Sequence, residues 1–278
     1  MINLFSTTSI FDELIYQVFL GLIQGLTEFL PISSTAHLTV IPPILGFPIP
    51  SISSVASIQL GSVAALLSYF RKDLKLIYKE FKGFNFRKFN YNNLLLLTLI
   101  GNIPIFIVGF FIKKYWIGYE SSIFRSSHSI ALVSIIMATF LGVSEFYGRK
   151  YKMMSSIKLS DSFIIGLTQV LAIIPGVSRS GVTLTSALFC GIERSTAARF
   201  SFILGIPAIT LAGIVEINSS ISNPSIQFDF YSLIGIFAAF ISSWISIDFL
   251  LKYLKNSSIY IFVVYRIILG IFILMSLR

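Results

Sequence analysis

Six apolar runs in this chain are each long enough to cross a hydrocarbon core, which takes about 20 residues of helix. They cover residues 52–70, 94–112, 129–147, 200–216, 231–251 and 259–276. Hydrocarbon offers no partner to a backbone N–H or C=O, so such runs must be helical, and the chain reads as an all-α integral membrane protein. Composition agrees: 55% of its 278 residues are hydrophobic, 12% are charged, and the mean hydropathy is +0.85. A soluble domain carries about 25% charged residues.

Two further apolar regions are interrupted, and both in the same way. The first reads Gly-Leu-Ile-Gln from Gly21, then passes through Glu28, Pro31, Ser33, Ser34 and Thr35 to His37. The second reads Gly-Leu-Thr-Gln from Gly166, then passes through Pro175, Gly176, Ser178, Arg179, Ser180 and Gly181 to Thr183. A proline followed by hydroxyls survives at membrane depth only where it lines a polar cavity or is buried in protein. The flanking arms, 14–30 with 36–47 and 162–174 with 182–192, reach at most about 25 Å at 1.5 Å per residue, short of a ~30 Å core. Each pair is therefore expected to be a re-entrant helical hairpin. The recurrence predicts an internal repeat within a single membrane domain, with halves of roughly 1–128 and 129–278.

The net charge of +9 does not point to nucleic acid, because the cations sit in short loops between apolar runs. If both hairpins return to the side they entered from, loops 71–93, 148–161, 193–199 and 252–258 share one face and hold 15 of the 21 Lys and Arg. The other face holds 4. That bias assigns the first face to the cytoplasm, and the hairpins then enter from opposite sides in an inverted-topology repeat. The basic, aromatic segment 71–93 is expected to lie on anionic lipid. The first Lys or Arg is Arg71, so no basic start marks a cleavable signal peptide. Cys190 is the single cysteine and reads as a packing residue.

Ionisable groups at membrane depth are costly and point to function. Glu28 and His37 flank the first break and Arg179 is central to the second, with Gln24 and Glu28 one turn apart on a helix face. A Glu–Arg pair holding the hairpins together would account for the charges but not for the serines. Gly176 and Gly181 permit close backbone approach, Ser178, Ser180 and Thr183 supply hydroxyls, and Arg179 can grip phosphate through two parallel bonds. Ser33, Ser34 and Thr35 offer the same from the first break. The pattern predicts a phosphate site. Elsewhere, Arg266 is expected to pair with Asp248, Glu145 and Glu216 to reach the interface by snorkelling, and His128 to face water.

The run from Gln24 through Glu28 into Phe-Leu-Pro-Ile-Ser-Ser-Thr-Ala-His, with Pro-Gly-Val-Ser-Arg-Ser-Gly-Val-Thr downstream, resembles the undecaprenyl pyrophosphate phosphatases of the bacterial bacitracin-resistance family. Ile58-Gln59-Leu60-Gly61-Ser62, Phe200-Ser201-Phe202 with Pro207, and Tyr265-Arg266 extend the likeness along the chain. The resemblance implies hydrolysis of undecaprenyl diphosphate to the monophosphate at the outer face of the cytoplasmic membrane, recycling the lipid carrier for peptidoglycan. It also implies a divalent cation, Mg²⁺ or Ca²⁺, at Glu28 with Gln24, a contact weakened where Gln stands for Glu. The partners it implies are the polyprenyl diphosphate and membrane lipid, with a homodimer left open. In this reading Arg179 and the second break hold the terminal phosphate. His37 is nucleophile or general acid/base, and Ser34 is the rival nucleophile with His37 as its base. The alternative function is a transporter or flippase of a lipid phosphate, since broken helices in inverted repeats also build carriers.

Overall fold

The computed structural model describes residues 10–83, 93–115, 123–221 and 230–276. Eleven α-helices follow one another among these residues. They are α1 (Ile10–Glu28), α2 (Ser34–Ile44), α3 (Ile52–Tyr69), α4 (Arg71–Lys82), α5 (Leu94–Tyr115), α6 (Ser127–Tyr147), α7 (Leu159–Gln169), α8 (Arg179–Phe189), α9 (Arg194–Ile221), α10 (Phe230–Asn256) and α11 (Tyr260–Ser276). No strand is formed among the described residues; one isolated bridge joins Lys152 to Ile192.

By length and composition α1, α5, α6, α9 and α10 can cross a membrane, and α3 qualifies together with α4, from which it is bent by 71°. The apolar α11 is shorter, at 17 residues. Helix α1 is longer than the expected first arm, at 19 residues, because it begins at Ile10 and carries Asp12 and Glu13 in its first turn. Acidic side chains favour that end of a helix, where the backbone N–H groups are unpaired. The other three arms, α2, α7 and α8, have 11 residues each, about 17 Å.

The two hairpins are seated by the same device. Gly21 of α1 packs on the backbone of Gly235 in α10, and a side chain at Gly25 would overlap Ser242 Oγ. Ser242 Oγ donates to Gly21 O at 3.2 Å and Ser246 Oγ to Leu26 O at 3.0 Å. In the second copy Gly166 of α7 packs on Gly101 of α5, and Ser162 Oγ donates to Leu97 O at 2.5 Å. Small residues let membrane helices approach until dispersion and interhelical hydrogen bonds hold them, where no hydrophobic effect does. Gly25→Val is accordingly expected to separate α1 from α10; a purified variant with wild-type melting temperature in detergent would refute that packing.

The core lies where the hairpins meet α3, α9, α10 and α11. Phe29, Phe70, Phe200 and Phe202 are buried there, and Phe29 meets Phe202 edge to face at 5.5 Å. Away from it, α4 turns Asp73 to Arg199 at 2.7 Å and accepts from Leu95 N at 2.8 Å through Glu80. Its cations Arg71, Lys72, Lys75, Lys79 and Lys82 remain exposed. The basic segment thus begins as an amphipathic helix.

Two expectations about charges are corrected. Arg266 does not pair with Asp248: that carboxylate binds Lys252 at 2.8 Å and the Tyr69 hydroxyl at 3.0 Å, near the end of α10. Glu145 does not reach an interface either. It is 3% exposed and held through both oxygens by Arg194 Nε, at 2.9 and 3.1 Å, with Lys150 beside it. Two cations at one carboxylate offset the cost of its burial, so snorkelling gains nothing. His128 is exposed, as expected. The expectation for Glu216 lies outside the described side chains.

Candidate active site

Each break turns on one serine in the left-handed region. Ser33 has φ 72° and Ser178 has φ 68°; they cap α2 and α8, their Oγ atoms accepting from Ala36 N at 3.4 Å and Gly181 N at 3.2 Å. Left-handed backbone is strained for a residue with a Cβ, and the cap bond helps hold it. The helices that begin here aim their positive ends at the gap between the breaks.

Backbone carbonyls freed by Pro31 and Pro175 are paired across that gap. Ser180 Oγ is within reach of Leu30 O at 3.0 Å and Glu28 O at 3.3 Å. Arg266, fully buried on α11, donates to Gly176 O at 2.8 Å, Val177 O at 3.1 Å and Pro31 O at 3.4 Å. One guanidinium thus ties both breaks together, which is why so costly a group is tolerated at this depth.

The first break presents Glu28 to three neighbours. Ser34 Oγ donates to its Oε2 at 2.7 Å, Gln24 Nε2 donates to the same oxygen at 3.1 Å, and Arg179 Nη2 stands 3.9 Å from Oε1. The hydroxyl of Ser34 is therefore placed on Glu28, not on His37. His37 is 2% exposed, with Nδ1 2.7 Å from Ser33 O and Nε2 2.6 Å from the Tyr265 hydroxyl. A carbonyl can only accept, so Nδ1 carries the proton and Nε2 accepts from the tyrosine when the ring is neutral.

Arg179 is the first residue of α8 and its guanidinium lies against Gly205 of α9, where a Cβ would overlap it. Its Nη1 reaches Ser201 O at 3.4 Å. Its Nε and Nη2 are buried with no hydrogen-bond partner among the described residues. These two N–H groups form the side-on edge that grips a carboxylate or phosphate bidentately. A buried donor pair left unmade costs free energy, and the simplest account of it is a ligand.

The remaining sequence-selected residues divide clearly. Gln24, Glu28, Ser34 and Arg179 meet at one point, and Ser33 and His37 adjoin it. Ser178, Ser180 and Thr183 spend hydroxyl bonds on the fold: Ser178 on Gly181 N, Ser180 on the first break, and Thr183 on Arg179 O at 2.8 Å and on Ser201 Oγ. Gly176, at φ 92°, fits against Ile130 O, and a Cβ at Gly181 would meet Arg266 Nη1 at 2.9 Å. Thr35 is exposed. Sequence reasoning missed Gly205, whose signal is a glycine two positions before Pro207 in an apolar helix, and gave no role to Tyr265.

Two short breaks meeting inside an all-α bundle, with a carboxylate, a hydroxyl, an imidazole and a half-satisfied guanidinium, define an integral membrane protein with a polar, charged interior site. The chain belongs to the family of the bacitracin resistance protein BacA, whose family model matches residues 17–272. It is similar to an undecaprenyl-diphosphatase of Prochlorococcus marinus strain MIT 9313, 48% identical across 99% of this chain and 93% of that protein. An undecaprenyl-diphosphatase of Synechococcus sp. strain CC9311 is 49% identical across 92% of this chain and 91% of its own length.

Proposed function

We propose that this chain hydrolyses undecaprenyl diphosphate to undecaprenyl phosphate, at a site open to the outer face of a bacterial cytoplasmic membrane. The observation that carries the reading is the Nε–Nη2 edge of buried Arg179, which has no hydrogen-bond partner among the described residues and lies 3.9 Å from the carboxylate that holds Ser34. In a water-poor site such donors stabilise charge spreading over a transferring phosphoryl group. Glu28 is placed to take the Ser34 proton at 2.7 Å. The Ser34 Oγ–P bond then forms as the bridging P–O bond breaks, the lipid monophosphate leaves, and water later cleaves the phosphoserine. Both nitrogens of His37 are engaged, which argues for a base acting through its partner and against attack by the ring itself.

A divalent cation fits in one way. Among the described residues no three His, Cys, Asp or Glu side chains gather as a resident site requires. Glu28 and Gln24 offer oxygen ligands of the kind Mg²⁺ and Ca²⁺ prefer, and diphosphate oxygens would complete the shell. When bound, the ion would neutralise part of the diphosphate charge.

Corresponding packing extends the repeat. If Gly21 on α10 matches Gly166 on α5, then α5 answers to α10 and α6 to α11. On that correspondence the joint between halves would lie at 148–158, against the boundary near 128 expected from the sequence. The Lys and Arg bias of the loops supports inverted topology with the cationic face inside.

Purified protein in detergent micelles tests the function. Inorganic phosphate is expected from undecaprenyl diphosphate with multiple turnovers; saturable binding without phosphate release would mark a carrier instead.

A further inference from the structure

The Tyr265 hydroxyl is 2.6 Å from His37 Nε2, the bond through which that base would act. The two rings are nearly parallel, at 3° with centroids 5.6 Å apart. Nδ1 is taken by Ser33 O, so Nε2 is the one ring nitrogen of His37 that can gain a proton. The imidazole is buried, whereas Tyr265 is 43% exposed, on the face of α11 that also exposes Ile261, Val264 and Ile268. An exposed apolar face of this kind suits contact with the chain of a polyprenyl substrate. The phenol is thus the half-exposed end of a hydrogen bond whose imidazole end is buried. Ser34 and His37 are three residues apart on α2, the hydroxyl resting on Glu28 and the imidazole on Tyr265.

We propose that Tyr265 relays a proton between His37 and the water that completes hydrolysis, a role that rests on the phosphatase reading above. As drawn by the geometry, the phenol donates to Nε2 and its oxygen accepts from none of the described residues. A water O–H bond breaks, its proton passes to the Tyr265 oxygen, and the phenolic proton passes to Nε2. The water oxygen bonds to phosphorus as the Ser34 Oγ–P bond breaks. Tyr265 ends neutral, and His37 ends as an imidazolium whose Nδ1–H rests on the Ser33 carbonyl. The serine oxygen recovers its proton from Glu28.

Tyr265→Phe keeps the ring stack and removes only the relay. It is expected to lower kcat at least tenfold with KM little changed, to shift the pH–kcat profile, and to let phosphoenzyme accumulate after rapid quench. On a His37→Gln background the same change should add less than twofold, because the relay is already cut. Wild-type kcat and pH profile in folded Tyr265→Phe would overturn the proposal. So would a full, multiplicative loss in the double variant, or a lower kcat without accumulated phosphoenzyme and with an unshifted pH profile. Arg179→Ala measured alongside separates the two levels: if it too turns over normally, the phosphatase site itself is misplaced.

Discussion

Arg179→Ala is expected to lower phosphate release by about a thousandfold or more, the range in which arginines act on transferring phosphoryl groups. The side chain's Nε and Nη2 are buried with no hydrogen-bond partner among the described residues, so its removal costs the fold no hydrogen bond seen from that edge. Glu28 loses a cation 3.9 Å away, but keeps Ser34 and Gln24. The variant should therefore still purify as a folded protein. Arg179→Lys should fail nearly as badly, because an ammonium cannot reproduce two parallel N–H bonds. Gly205→Ala gives a test that leaves every charge in place: the new Cβ would overlap the guanidinium and move the fork. Near-normal turnover in folded Arg179→Ala would remove this residue from the chemistry, whatever Gly205→Ala did.

Ser34 and Glu28 should separate by what can be trapped. During turnover the wild-type protein is expected to yield an acid-stable, base-labile phosphoenzyme, and Ser34→Ala none, because the nucleophilic oxygen is gone. Glu28→Gln can still hydrogen-bond the hydroxyl, yet an amide cannot take its proton. A loss of about a hundredfold to ten-thousandfold in the rate of adduct formation follows, the usual worth of a positioned base. An acid-labile adduct that survives Ser34→Ala would transfer the attack to His37 and displace the Ser34–Glu28 assignment. The 2.7 Å bond between Ser34 and Glu28 makes that outcome the unexpected one.

What sequence settles here is mostly local. Apolar length dictates helices in lipid, and proline with serine dictates where they break, so the all-α class and the positions of both breaks were legible, whereas α1 came out long enough to cross and α11 shorter than the expected span. Glu28, His37 and Arg179 stood out because charge at membrane depth has few bland explanations. The repeated Gly-Leu-x-Gln marked Gly21 and Gly166 as corresponding positions, but not the close helix contacts they make.

Which partner each polar group takes is another matter, because it depends on elements far apart in the chain. Arg266 could be paired by eye with Asp248, one helix back; only the packing of α11 between the breaks turns it to the carbonyls of Pro31, Gly176 and Val177. Ser34 and His37 look like a hydroxyl and its base at three residues' spacing. Helix geometry instead points the hydroxyl back to Glu28 and the imidazole across to Tyr265, 228 positions away. The serines around Arg179 looked like a cradle, yet buried backbone at the breaks must be satisfied first, and their hydroxyls go there. Sequence determined where polar groups had to be hidden. Tertiary packing decided which were consumed in hiding them, and which, like one edge of Arg179, have no hydrogen-bond partner among the described residues.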